Sequence, residues 1–312
     1  EIRNKVIVKK ELDFFAVANI HLQNLKERNK HHQYDTEHGR LKKFKAFLNK
    51  EELSFSELTP SLLKRFEGYL LENKKRSPRT AVNYLILIRT IYNLAISEAI
   101  VDRGRYPFGK GKVTIRIPES QKIGLNKGEI QKLESANNLS EAQQNAVNVW
   151  LISFYFAGIR IADVLQLKWS DLVDGRLHYR MDKNSKLVSL KIPEKASKIF
   201  DILENLNLQN NLIFPYLKNT NLRNPQDVSV RIQSVTRNLN RALKRAAKQL
   251  DIKKNMSMHI ARHSFGNISG DKIPIQMLQK LYRHSSVTTT IRYQANFIHK
   301  DADSALDKVI NF

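Results

Sequence analysis

The residues of this chain that could do chemistry fall in a few short stretches. The densest is His259-Ile-Ala-Arg262-His263. Residues three and four apart share a helical face, so His259, Arg262 and His263 can point into one site. Two His at this spacing also occur on zinc-protease helices. Here no Glu stands between them, and an Arg beside the ion would oppose it, so no metal is expected. Upstream, Ala157-Gly158-Ile159-Arg160 ends an apolar helix at glycine and sets an Arg just beyond it, with Asp163 one turn later. Downstream, Leu281-Tyr-Arg-His284 is followed nine residues on by Tyr293. Lys183 and Lys186 flank a tight turn between two alternating segments. Two Arg, several His, a Lys and a Tyr suit phosphoryl transfer: Arg forks neutralise phosphodiester oxygens, Tyr serves as nucleophile, and Lys protonates the leaving oxygen. No Walker-type Gly-rich loop occurs, so no nucleoside triphosphate and no other cofactor is expected.

Taken singly, each residue has a plainer role. Arg160 could pair with Asp163 at a helix end, Tyr293 could be a half-buried core aromatic, and Lys183 and Lys186 could be mere hairpin charges. His284 could cap a helix, and His263 reads as a core histidine bracing Arg262. The order and spacing of the set outweigh these readings for Arg160, Lys183, His259, Arg262, His284 and Tyr293.

The ordered set Arg160, hairpin Lys183, His259-x-x-Arg262, His284 and Tyr293 resembles that of the tyrosine recombinases, or phage-type integrases, and the resemblance covers almost the whole chain. It implies that Arg160 and Arg262 grip the scissile phosphate, while His259 and His284 bond its oxygens or assist proton transfer. Lys183 would be the general acid. Tyr293 would attack phosphorus, leaving a 3′-phosphotyrosyl link and a free 5′-hydroxyl, and two rounds of exchange would pass through a Holliday junction in a homotetramer on double-stranded DNA. It further implies accessory DNA-bending proteins, a mobile-element integrase and a cytoplasmic, nucleoid-associated setting. Since the chain starts at Glu1 and not Met, an N-terminal arm-DNA-binding domain is expected to precede it. Two positions depart from the family pattern: Arg283 stands where Gly is common, and Ala261 replaces a larger residue before Arg262.

The elements that must position these residues are mostly helical. Apolar residues recur at helical spacing through Leu12, Phe15, Ala18, Leu22 and Leu25, within a helix expected over Val8 to Asn29, and again at Leu41, Phe44 and Leu48. Thr59-Pro60 and Ser77-Pro78 each join a hydroxyl cap to a proline at the first helical position. Four helices with short connections predict a bundle over 1–104. Gly, Pro and basic residues crowd from Arg103 to Lys112, predicting a linker over 105–124. A second domain, 125–312, opens at Asn126 with Glu129 in the capping-box position. A helix from Glu141 ends near Gly158, and segments 177–181 and 187–192 alternate as a β-hairpin. Helices are expected at 194–205, 226–250, 257–268, 274–282 and 286–295. The fold class is thus mostly α with a small β component. In the terms of the resemblance, it is a SAM-like helical core-binding bundle followed by an α+β catalytic domain, the two closing as a C-shaped clamp on the duplex.

Composition agrees with a polyanionic partner. The 312 residues carry 53 Lys plus Arg against 30 Asp plus Glu, a net charge of +23. The excess is +11 over residues 1–124 and +12 over 125–312, so it is no basic tail on a neutral enzyme. Such a charge repels itself in the folded state and points to nucleic acid. The absence of Cys excludes disulfides and thiol nucleophiles. The longest nearly apolar run, Val149 to Ile159, interrupted at Ser153, is far shorter than the ~20 residues of a membrane span, and no basic amphipathic segment carries the exposed aromatic residues that a membrane surface calls for. Basic runs such as Lys74-Lys75-Arg76 and Arg241 to Lys248 read equally as solvated faces or phosphate contacts. Near the end, Leu306, Val309 and Ile310 form a short apolar face flanked by Asp301, Asp303 and Asp307, which suits docking on a neighbouring protomer. The rival readings are a type IB topoisomerase-like enzyme or resolvase with the same chemistry, and a catalytically inactive DNA-binding regulator.

Overall fold

The computed structural model describes residues 12–118, 123–181, 187–204, 211–270, 272–291, 293 and 310. The chain divides into two compact units, residues 1–120 and 121–312. Among the described residues, no helix is long and apolar enough to cross a membrane.

The first unit holds α1 (Phe14–Glu27), α2 (His31–Leu48), α3 (Pro60–Leu71) and α4 (Pro78–Ser97). Their starts follow from the caps: Asp13 accepts from the Ala16 N–H, Thr59 from Leu62 and Ser77 from Thr80, with Pro60 and Pro78 opening their helices. Helix α2 begins well before the apolar run that announces it. Asn29, in the left-handed region at φ 54°, turns the chain out of α1, and α2 starts at His31 with no side-chain cap. The core is aromatic. The Phe14 ring meets Phe15, Phe44 and Phe55 edge-on, and Phe44 passes the packing to Phe66 at 4.7 Å. Beneath α2, His21 and Glu37 pair at 2.7 Å with both side chains mostly covered. Within the stretch read as linker, Phe108 and Val113 bridge backbone to backbone and are buried in this same core, closed by the Gly109–Gly111 turn. The chain therefore remains part of the first unit well past residue 104.

The second unit is built around α6 (Glu141–Tyr155), preceded by α5 (Lys127–Glu134). The Asn126–Glu129 capping box is present, and Ser140 with Gln143 forms another at the start of α6. Helix α6 is buried nearly all round, through Ala146, Val147, Val149, Trp150 and Ile152, as befits a central helix. After it come α7 (Ile161–Gln166) and a three-stranded antiparallel sheet, β1 (Leu172–Val173), β2 (Arg176–Arg180) and β3 (Leu187–Lys191). The register pairs Leu177 with Leu190 and Tyr179 with Val188, turning Leu177, Tyr179 and Val188 into the core. Then follow α8 (Glu194–Glu204), α9 (Pro225–Gln249), α10 (Ile260–Ile268) and α11 (Ile275–Tyr282). Helix α9 is strongly two-faced. It buries Val235, Leu239, Leu243 and Ala246, and exposes Arg237, Arg241, Lys244, Arg245 and Lys248. Residues 287–291 and Tyr293 are helical. Of the expected tail helix, Ile310 is helical and exposed, whereas Leu306, Val309 and the three Asp lie outside the described residues.

Candidate active site

Three pieces of backbone assemble the site. The first is the turn after α6, where Ala157 and Gly158 both adopt left-handed conformations at φ 59° and 68°. Ser153 Oγ donates to the Ile159 carbonyl at 2.6 Å and locks the turn. Arg160 then sits at the N-cap of α7. The second piece is α10. Its entry is held by the Met258 N–H donating to Asn240 Oδ1 at 2.8 Å, and its second turn by Ser264, which accepts from Leu125 N–H. His259 occupies the N-cap position, one residue outside the helix expected to contain it. The third is the end of α11, where Arg283 turns the chain through φ 53° and delivers His284.

These pieces meet at Arg262. Its side chain is 3 % exposed. One Nη donates to the Gly158 carbonyl at 3.1 Å; the other donates to the Tyr282 carbonyl at 3.0 Å and to His284 Nε2 at 3.2 Å. The guanidinium carbon lies 3.8 Å over the Tyr282 ring, and the Tyr282 hydroxyl donates back to the Arg262 carbonyl. Burial pushes the Arg262 pKa below its ordinary value; Tyr282 opposes this, the like charge of Arg160 adds to it, and Tyr293 opposes it again. The fit with the first turn is tight. A Cβ at Gly158 would stand 2.5 Å from Arg262 Cα, so the turn that presents Arg160 also carries a carbonyl to Arg262 with no room between them.

The geometry also assigns the His284 tautomer. A guanidinium has only donors, so Nε2 facing it must be the acceptor, and Nδ1 then carries the proton it shares with Thr290 Oγ1 at 3.0 Å. Thr290 is fully buried.

Tyr293 stands in a box of rings. His263 stacks on it at 4.8 Å and 25°, Tyr282 meets it edge-on at 5.1 Å, and His284 lies at 5.4 Å. Arg262 is 5.8 Å from its centroid. Gly266 makes space for it, since a Cβ there would come within 2.9 Å of Tyr293 Cβ. His259 joins through His263, edge-on at 4.7 Å. Tyr179 on β2 feels the charges of this cluster. Burial raises its phenol well above the ordinary value, as does Asp163, against the opposing charges of Arg262, Arg160 and Arg283.

Among the expected site residues, Arg160, His259, Arg262, His284 and Tyr293 thus fall in one cluster. Lys183, like Lys186, lies outside the described residues. His263, read as a brace for Arg262, packs its ring between those of His259 and Tyr293. Tyr282, Thr290 and Tyr179 escaped the sequence reading, because an apolar-spaced Tyr or a Thr in a polar run gives no sign of facing a site. Among the described residues, no three His, Asp or Glu side chains are gathered to hold a metal ion.

A helical bundle followed by an α+β unit with clustered Arg, His and Tyr is the arrangement of a tyrosine recombinase. Residues 13–114 match the phage integrase SAM-like domain, and residues 125–299 match the phage integrase family. The chain belongs to the phage integrase family, whose enzymes cleave and rejoin DNA in site-specific recombination. A tyrosine recombinase of Thermosipho africanus (strain TCF52B) is 25% identical over 223 residues, 70% of this chain and 72% of the relative. The fold is similar to that of a lambda integrase tetramer bound to a Holliday junction, with TM-score 0.64 and 16% identity over 92% of this chain and 78% of that one. It is also similar to XerH site-specific recombinase bound to palindromic difH substrate in a post-cleavage complex, with TM-score 0.68 and 18% identity over 88% and 79% of the two chains.

Proposed function

We propose that the Arg262 cluster is the strand-cleavage site and that Tyr293 is its nucleophile. The observation that carries this reading is the position of Tyr293: its ring is walled by His263, Tyr282 and His284 and faces the Arg262 guanidinium. Arg160 and Arg262 hold the scissile phosphodiester and neutralise charge gathering on its oxygens. The Tyr293 hydroxyl gives its proton to a histidine of the site as its oxygen bonds to phosphorus, the bond to the 5′-oxygen breaks, and Lys183 supplies the proton that lets it leave. His259 bonds the phosphate oxygens or assists proton transfer, and His284 does so once its Nε2, the acceptor from Arg262, is protonated and turned to donate. The 3′-phosphotyrosyl link conserves the bond energy, so a 5′-hydroxyl from another strand reverses the step and rejoins without nucleoside triphosphate.

The partner in this reading is double-stranded DNA, gripped by both units, 1–120 and 121–312, and exchanged by four protomers through a Holliday junction. The charge of +23 and the basic face of α9 support the DNA, and the lambda integrase tetramer on a junction supports the assembly by analogy of fold. Accessory bending proteins and a cytoplasmic, nucleoid-associated setting belong to the same proposal. A synthetic four-way junction carrying the cognate core sites tests it: the enzyme resolves the junction to paired duplexes. Relaxation of supercoils with no junction resolution would mark a topoisomerase-like enzyme instead.

A further inference from the structure

The turn that delivers His284 carries a guanidinium of its own. Helix α11 closes with the Arg283 N–H donating to the Gln279 and Lys280 carbonyls and the His284 N–H donating to the Gln279 carbonyl at 3.1 Å. This closure places Arg283 at φ 53°, ψ 36°. Glycine adopts that conformation without steric cost, whereas a residue with a Cβ is strained there. A long cationic side chain at such a point sets backbone strain against something the side chain does, and an observed outlier of this kind is a pointer to function.

The Arg283 side chain does not simply extend into water. It is half-buried, and its Nε is fully buried with no hydrogen-bond partner among the described residues. Arg283 precedes His284, whose Nε2 meets the Arg262 guanidinium at 3.2 Å, and the charges of Arg160, Arg262 and Arg283 all bear on the Tyr179 phenol. Arg160 Nη1 is in the same condition, buried and without an acceptor. Buried N–H groups left unsatisfied are costly, and an anion rich in oxygen that draws these two cations outward relieves both. A phosphodiester has that chemistry. We propose that Arg283 is a third phosphate-gripping arginine of the active site, its guanidinium turning out of this buried pose to donate to the phosphodiester held by Arg160 and Arg262. The proposal rests on the reading of the cluster as the cleavage site.

The test uses the full chain and a nicked duplex that traps the covalent adduct, with Arg283→Gly, Arg283→Gln and Arg283→Lys compared at saturating DNA. Glycine relieves the strained turn, so Arg283→Gly should melt no lower than wild type and yet form adduct at least tenfold more slowly. Arg283→Gln should be equally slow, and Arg283→Lys, which keeps the charge, should stay within threefold of wild type. A wild-type rate for Arg283→Gly, or equal rates for the Gln and Lys variants, would overturn the assignment. Tyr293→Phe on the same DNA separates the two levels of the argument. If it forms no adduct while Arg283→Gly is fast, the inference about Arg283 alone fails; if it still forms adduct, the site reading fails and takes Arg283 with it.

Discussion

The imidazole of His263 lies flat on the phenol ring of Tyr293, with centroids 4.8 Å apart and planes 25° from parallel. The stack comes from α10, the helix that also supplies Arg262, so one rigid element holds both the Arg262 guanidinium and one wall of the phenol. An aromatic stack contributes about 1 kcal/mol beyond simple burial, which is about fivefold in rate if lost in the transition state. His263→Ala should therefore slow adduct formation about fivefold to tenfold, while His263→Phe, which keeps the stack, should stay near wild type. Single-turnover cleavage of nicked DNA measures both. A Phe variant as impaired as Ala would show that the imidazole nitrogens, not the stack, are what matters.

Gly158 is fixed by two independent constraints, its positive φ of 68° and the 2.5 Å that would separate a Cβ from Arg262 Cα. The atoms it would meet below 3.0 Å, Arg262 Cα and Cβ, are not flexible side-chain ends, so the backbone of α10 or of the turn must move. Gly158→Ala should cost about 3 kcal/mol or more of stability in the second unit. It should also abolish cleavage even where the protein still folds, because Arg160 and Arg262 shift together. Urea unfolding followed through the tryptophans at 150 and 169, both in this unit, reports the stability. A loss under about 1 kcal/mol would mean that the turn relaxes more freely than the contact allows.

In the first unit, burial alone would raise the pKa of Glu37, but hydrogen bonds from His21 and Gln33 and the charges of His21 and Arg40 outweigh it, and the net shift is downward. A carboxylate with a depressed folded-state pKa adds stability that is present in full above the ordinary Glu range near 4.3. That stability is lost as pH falls through the folded value. Glu37→Gln should therefore cost about 1–2 kcal/mol at pH 7 and progressively less as pH falls below the ordinary Glu range. Denaturant melts of the two proteins by circular dichroism supply the comparison. A gap that stays constant with pH would assign the loss to packing and not to charge.

Lys183, on the chain between β2 and β3, is assigned the proton that goes to the leaving 5′-oxygen. A 5′-bridging sulfur leaves as thiolate without a proton, so Lys183→Ala should be slow on ordinary DNA, by about 100-fold or more, and near wild type on the thiolate-leaving substrate. Rescue of Lys186→Ala in place of Lys183→Ala would transfer the role to Lys186.

The helical frame was legible because its signals are local. Thr59-Pro60, Ser77-Pro78 and Asn126 with Glu129 fix helix starts through side chains adjacent in sequence. The start of α2 at His31 was not legible, since it has no capping side chain. The fold of 106–113 into the first core was hidden as well, because its Gly and basic content masks Phe108 and Val113. At the site, the order Arg160, His259, Arg262, His284 and Tyr293 named the groups, but only the tertiary structure shows what holds them. The Arg262–Gly158 bond joins residues 104 apart in sequence. His263 on Tyr293, Tyr282 beneath Arg262 and the strained Arg283 are likewise contacts between elements, which no periodicity records.

The central claim is that Tyr293 becomes covalently attached to DNA. Incubation of the wild-type chain with a nicked duplex, proteolysis, and mass spectrometry of the DNA-linked peptide tests it most directly. The account predicts a phosphotyrosyl bond at Tyr293 on the 3′ side of the break, and none in Tyr293→Phe, whose DNA affinity should be unchanged. An adduct on another residue, or one that survives in Tyr293→Phe, would contradict it.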